Sequence, residues 1–239
     1  MAGDKQSLAA AIAARWYAAS RDRVHGYSLV VAILHQATLN PSKLEVLSSH
    51  LATSPYFAEA AASGLTALGA YRFDDPAGAV GIETHLLTTA SVPLIQIPLT
   101  YREAPLAGAE AWLVGTMEHS VLGPRWVYNA CGDPIFAAVL LHTILSGGTQ
   151  AGLFVETDEG PREREPAVRV AGSGTPDAEV VEVDAVVAND DGPHTRIQAA
   201  GLEIVVRHVL DEPVAADASA TLSGTWPGVD EPVVLAFIR

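Results

Sequence analysis

From Gly64 onward, outside the apolar run 135–146, the chain shows a two-residue apolar period, broken by short clusters of Gly, Pro, Asp and Asn. That period belongs to strands, whose successive side chains point to opposite faces. LTALGAYRF (65–73), the turn DDPAG (74–78) and AVGIETHLL (79–87) read as a hairpin. PLIQIPLTY (93–101) alternates, with Ile95, Ile97, Leu99 and Tyr101 on one face, and its two prolines, Pro93 and Pro98, predict an edge strand. AWLVGTME (111–118), RWVYNA (125–130), AGLFVE (151–156), AEVVEVDAVV (178–187), the run TRIQAAGLEIVVRHVL (195–210) and EPVVLAFI (231–238) continue the pattern, with NDDGPH (189–194) as a turn.

Helical signals are fewer. Ser7 to Arg23 is Ala-rich and free of proline, so a helix is expected there, carrying Trp16 and Tyr17 near its end. YSLVVAILHQ (27–36) has strand length and β-branching. Asn40-Pro41 predicts a helix to about Leu51. Asp133-Pro134 repeats the signal, and the apolar IFAAVLLHTILS that follows stops at Gly147 and predicts a buried helix. Strands joined by short turns, with a few helices, imply an α+β fold on a largely antiparallel sheet. The expected organisation is an N-terminal helix (1–26), a first domain (27–156), a charged exposed loop or linker (157–167) and a β-rich extension or second lobe (168–239).

Composition narrows the function classes. A net charge of -14 with 14 Lys and Arg repels phosphate backbones and anionic lipid, so neither nucleic acid nor membrane is an expected partner. The single cysteine, Cys131, excludes an internal disulfide and a thiolate metal cluster, which fits a reducing compartment. Arg15 interrupts the apolar N-terminal run, and no apolar stretch reaches the ~20 residues a membrane helix needs. A cytoplasmic protein is expected.

The segment GTMEHSVLGPRWVYNACGDP (115–134) concentrates the candidate chemistry. Glu118 and His119 offer an acid and an imidazole, but neighbours on a strand face opposite ways, and no third ligand stands at metal spacing. Arg125, Trp126 and Tyr128, with Arg102, could cradle a sugar or nucleotide, while core packing is the commoner use of such aromatics. Cys131 has no basic neighbour and is expected to be inert. GSGTP (172–176) lacks the phosphate-loop pattern, and Asp184 with Asn189 reproduces a kinase spacing inside an alternating strand pattern, a coincidence. Glu83, Glu103 and Glu118 are all available for two-carboxylate chemistry, and spacing does not choose among them. Neither a metal nor a cofactor is expected.

YRFDDPAGAVGIETHLL (71–87), IPLTYREAPLAGAE (97–110) and GTMEHSVLGPRWVYNACGDPIF (115–136) resemble the N-terminal cap domain of actinobacterial maltokinases, and more closely its stand-alone cap-like relatives, over roughly Leu39 to Glu156. RWYAASRDRV (15–24) is similar to a segment near the start of maltokinases. The resemblance implies a cystatin-like arrangement, a helix laid on an antiparallel sheet, in the neighbourhood of trehalose, maltose and α-glucan metabolism. It carries over no catalytic residue, since no phosphate-covering loop and no H-x-D-x-x-x-x-N motif occurs. Three readings follow. The first is a non-catalytic interaction or regulatory module for a kinase or an α-glucan or trehalose enzyme, docking through a sheet edge or Trp16 and Tyr17. The second is a small-ligand module for a saccharide or nucleotide, at Arg102, Glu118, His119, Arg125, Trp126 and Tyr128. The third is a glucan-active enzyme. Oligomeric state stays open.

Overall fold

The computed structural model describes residues 33–34, 38–92, 94–157, 160–179, 181–211, 213–214 and 217–239. The expected N-terminal helix, with Trp16 and Tyr17, lies outside these residues, as does Pro93. The described residues form a mostly antiparallel α+β fold with three helices.

The first sheet has six strands, β2 (Leu39–Asn40), β3 (Thr66–Asp74), β4 (Gly81–Thr88), β5 (Ile95–Arg102), β6 (Leu113–His119) and β7 (Gly123–Asn129), in the order β2-β6-β7-β5-β4-β3. The β3–β4 hairpin turns through Asp75, whose carboxylate accepts the backbone N–H groups of Ala77, Ala79 and Val80 at 2.9–3.0 Å. Charge-assisted bonds of this kind lock a turn more firmly than neutral ones.

Contrary to the expectation from its prolines, β5 is an interior strand between β7 and β4. Its ladder with β7 opens at Leu99, one residue past Pro98. At a ladder end a missing N–H costs little, so a proline is tolerated inside the sheet.

One face of this sheet carries helix α1 (Lys43–Thr53) and the short α2 (Ala58–Ala62). Val46, Leu47 and Leu51 of α1 pack with Ile95, Ile97, Leu99, Met117 and Val127. The helix starts two residues later than Asn40-Pro41 suggests. Ser42 is the N-cap and forms a capping box with Glu45, satisfying two otherwise orphaned N–H groups.

The other face carries helix α3 (Pro134–Ser146), whose Phe136, Ala137, Leu140, Leu141 and Ile144 lie in one core with Tyr71, Phe73, Ile82 and Leu86. The same core includes Ile197, Ile204, Val206, Leu222 and Leu235 from a second six-stranded sheet. That sheet runs β10-β14-β15-β13-β12-β11, from β10 (Arg169–Gly172), β11 (Val187–Asp190), β12 (His194–Ala199), β13 (Leu202–Arg207), β14 (Ala220–Trp226) and β15 (Val229–Ile238). The nearly all-apolar surface of α3 is thus buried between two sheets. The continuous run 195–210 is split by a tight turn at Ala200 and Gly201, both at positive φ. Among its described residues, AEVVEVDAVV contributes Val187 alone to a strand.

The charged segment 157–167 contributes a strand. β9 (Gly160–Arg164) pairs antiparallel with β8 (Leu153–Thr157), which also pairs in parallel with β1 (Ile33–Leu34). A short two-sided ribbon can carry charged side chains because neither face need be buried.

Gln96 ties the layers together. Its side-chain NH2 donates to the carbonyls of Arg207 and Leu235 at 2.7 Å each, and its Oε1 accepts from Tyr71 at 3.2 Å. Its backbone N–H donates to the carbonyl of His208 at 2.9 Å, and His208 Nδ1 meets the Gln96 carbonyl at 3.1 Å. His208 Nε2 meets Thr195 Oγ1 at 2.8 Å. Gln96, Thr195 and His208 are all buried, so these bonds carry the polar satisfaction of the seam between the sheets.

Candidate functional site

The segment 115–134 forms the hinge from sheet to helix. His119 Nδ1 accepts the N–H groups of Val121 and Leu122 at 3.2 and 3.1 Å, closing the tight β6–β7 turn. Glu118, one residue before it, is exposed on the opposite side of the strand from buried Met117, as strand alternation requires. Arg125 donates to the Pro124 carbonyl at 2.9 Å. Trp126 stands opposite Arg102 in the β5–β7 register and is half-buried. Tyr128 is buried, and its hydroxyl accepts the Leu106 N–H at 2.8 Å, pinning the connector that leads to β6.

Where β7 ends, Asn129 accepts the N–H of Cys131 and starts a single 3-10 turn. Cys131 is fully buried, and burial pushes its thiol well above the ordinary value. Gly132 follows because the ring of Trp112 lies over it: a Cβ there would sit 2.1 Å from Trp112 Cγ. Asp133 then caps α3, accepting the Ile135 N–H at 3.0 Å. Both of its oxygens are also held by Arg102, from Nε and from one terminal nitrogen, at 2.7 Å each. The hydrogen bonds to Asp133 keep the guanidinium pKa above its usual value. Arg102, Tyr128, His119 and Arg125 therefore each hold a backbone or carboxylate partner within the fold. Glu118 and His119 lie at the C-terminal end of β6, past Thr116, which shares the Trp126 register with Arg102.

The GSGTP loop closes the other end of α3. The N–H groups of Gly174 and Thr175 donate to the carbonyls of Ile144 and Leu145 at 2.9 and 2.8 Å, satisfying a helix C-terminus that would otherwise be orphaned. A Cβ on Gly174 would lie 1.7 Å from the Leu145 carbonyl oxygen, so the loop needs glycine for close approach.

A denser cluster lies on the α1 face of the first sheet. Glu83 and His85 project from β4, Tyr101 from β5, and Lys43 from the first turn of α1. Glu83 Oε2 accepts from Lys43 Nζ and, at 3.3 Å each, meets His85 Nε2 and the Tyr101 hydroxyl. His85 Nε2 and the Tyr101 hydroxyl are themselves 3.3 Å apart. Burial works to raise the Glu83 pKa, but the hydrogen bond and charge of His85, with the charge of Lys43, outweigh it and hold the carboxyl well below the usual range. Burial, then the Glu83 charge, push Tyr101 well above its ordinary value. Glu83 is thus an anion and Tyr101 a neutral donor at neutral pH. Among the three acids left open by spacing, Glu103 and Glu118 are exposed and Glu83 is buried.

Sequence reasoning named Glu83 without a reason to choose it. Its partners come from three separate elements, and no local motif joins Lys43 to His85 or Tyr101. Glu83 also lines a cavity of about 210 Å³ with Arg72, Gln150, Arg164 and Glu165.

Residues 50–133 match the family model described as the maltokinase N-terminal cap domain. That stretch begins in α1, takes in five strands of the first sheet, β3 to β7, and stops at the Asp133 cap. No curated protein matches the chain. Over residues 50–133, then, the chain is similar to a maltokinase N-terminal cap domain.

Proposed function

We propose that the chain is a non-catalytic cap-type interaction or regulatory module, associated with trehalose, maltose and α-glucan metabolism. The observation that carries this reading is the cap match over residues 50–133. The arrangement of Arg102, Asp133 and Tyr128 supports it, since Arg102 and Asp133 are engaged in joining β5 to α3 and Tyr128 in pinning the connector that leads to β6. α1 laid across an antiparallel sheet supports a cystatin-like arrangement for this part. The partner is a maltokinase-type kinase core or an α-glucan or trehalose enzyme. Val121 and Leu122, exposed at the β6–β7 turn, supply apolar surface whose burial against a partner is favourable.

The test is gel filtration of the purified chain mixed with a maltokinase catalytic core, and separately with a maltooligosaccharide-acting enzyme, alongside a Val121→Asp/Leu122→Asp variant. Co-elution and a changed rate of the partner enzyme, both lost in the variant, are expected. Turnover of maltose with ATP, or of maltooligosaccharide, by the chain alone would overturn the non-catalytic reading.

A further inference from the structure

The cavity beside Glu83 has a wall whose hydrogen-bonding capacity the fold leaves unused. Arg72 on β3 stands directly opposite Glu83 on β4, so both side chains leave the same face of the sheet. Arg72 Nε is buried and has no hydrogen-bond partner. Folded proteins avoid leaving a buried donor unpaired at most positions, because its lost hydration is not replaced. On the other side of the pair, Lys43, His85 and Tyr101 all meet the same oxygen of Glu83, Oε2. Oε1 therefore has no partner among the described residues. Gln150, across the cavity, uses its Oε1 on the Val170 N–H and keeps its NH2 group as a donor.

We propose that this cavity, between β3 and the Gln150 and Arg164 segments, binds a small neutral polyhydroxylated ligand, one hydroxyl of which donates to Glu83 and accepts from a terminal nitrogen of the Arg72 guanidinium. Charge selects the class. An oxyanion meets the ionised carboxylate of Glu83, and a cation meets the Arg72 guanidinium. The Glu83 charge is already balanced by Lys43, Asp74 lies two residues from Arg72 on the same strand face, and Arg164 and Glu165 of the lining offset each other. The local balance near zero suits a neutral group that both donates and accepts, which a hydroxyl does. Gln150 and Arg164 provide further donors for neighbouring hydroxyls. At about 210 Å³ the space is smaller than the ~300–1,000 Å³ of pockets for drug-sized molecules, so the ligand is of single-ring size. This inference does not depend on a protein partner.

The experiment is thermal unfolding of the full chain with glucose, myo-inositol, glycine and inorganic phosphate, each at up to about 50 mM, for the wild type and for Arg72→Met and Glu83→Gln. Ligand near a hundred times its Kd raises Tm by roughly 5–10 °C for a chain of this size. Glucose or inositol is expected to raise the wild-type Tm and to bind Arg72→Met at least tenfold more weakly. Arg72→Met removes an unpaired donor, so its Tm without ligand should equal or exceed the wild-type value, which separates lost binding from lost folding. If Glu83→Gln disturbs the Lys43 network, Arg72→Met still decides the question. A response to glycine or phosphate alone, a polyol response that survives Arg72→Met, or no response to any probe overturns the proposal.

Discussion

Arg102 holds both carboxylate oxygens of Asp133 at 2.7 Å, and Asp133 in turn caps the helix buried between the two sheets. One ion pair therefore sets the position of α3 against the end of β5. Asp133 is fully buried, so the pair cannot be broken without leaving a buried charge uncompensated. Arg102→Ala is expected to destabilise the protein by about 3–5 kcal/mol, measured by urea unfolding. Arg102→Lys should recover part of this, because a point charge replaces a two-pronged contact.

Gln96 should matter as much, for a different reason. Replacing it with Ala strands the Tyr71 hydroxyl and the carbonyls of Arg207 and Leu235 in a buried seam. A loss of roughly 3 kcal/mol is expected. Hydrogen exchange should show weakened protection in β5, β13 and β15 together, and a loss confined to β5 would argue against Gln96 as the tie between sheets.

The His208 pKa lies below its ordinary value, chiefly because burial disfavours the charged ring. His50 is shifted the same way by burial. An unfolded histidine takes up its proton near pH 6.5, so this contribution is complete above about pH 6.5 and is lost as the pH falls toward the folded-state values. The slope is at most about 1.4 kcal/mol per pH unit for each histidine. Urea midpoints from pH 7.5 to 5 should fall, and His208→Gln should flatten the decline while lowering stability at pH 7.5.

Gly174→Ala tests the loop that caps α3. Its methyl would meet a backbone carbonyl at 1.7 Å, and backbone cannot rotate aside as a side chain can. A cost of about 2–3 kcal/mol is expected from overpacking and from loosening of the bonds to Ile144 and Leu145. An unchanged Tm would show that the loop lifts away without consequence.

Much of this was legible in the sequence because it is local. Alternation from Gly64 onward specified the β3–β4 hairpin and the faces of β5. Asp133-Pro134 and Gly147 specified both ends of α3, since capping and left-handed closure depend on residues within a turn of one another. The motifs of 115–134 announced a strand-to-helix seam. What the sequence could not determine was which strands become neighbours. Pro98 looked like an edge and stands inside the sheet, because a ladder's length depends on where its partner strand stops. Arg102 and Asp133 meet across 31 positions, and Gln96 reaches Leu235 across 139. Lys43, Glu83, His85 and Tyr101 likewise converge only after α1 lies across β4 and β5. Propensity and capping act within a few residues. Long-range pairing is decided by which apolar faces can be buried together, and that placed α3 between two sheets and left Arg72 and Glu83 facing one cavity.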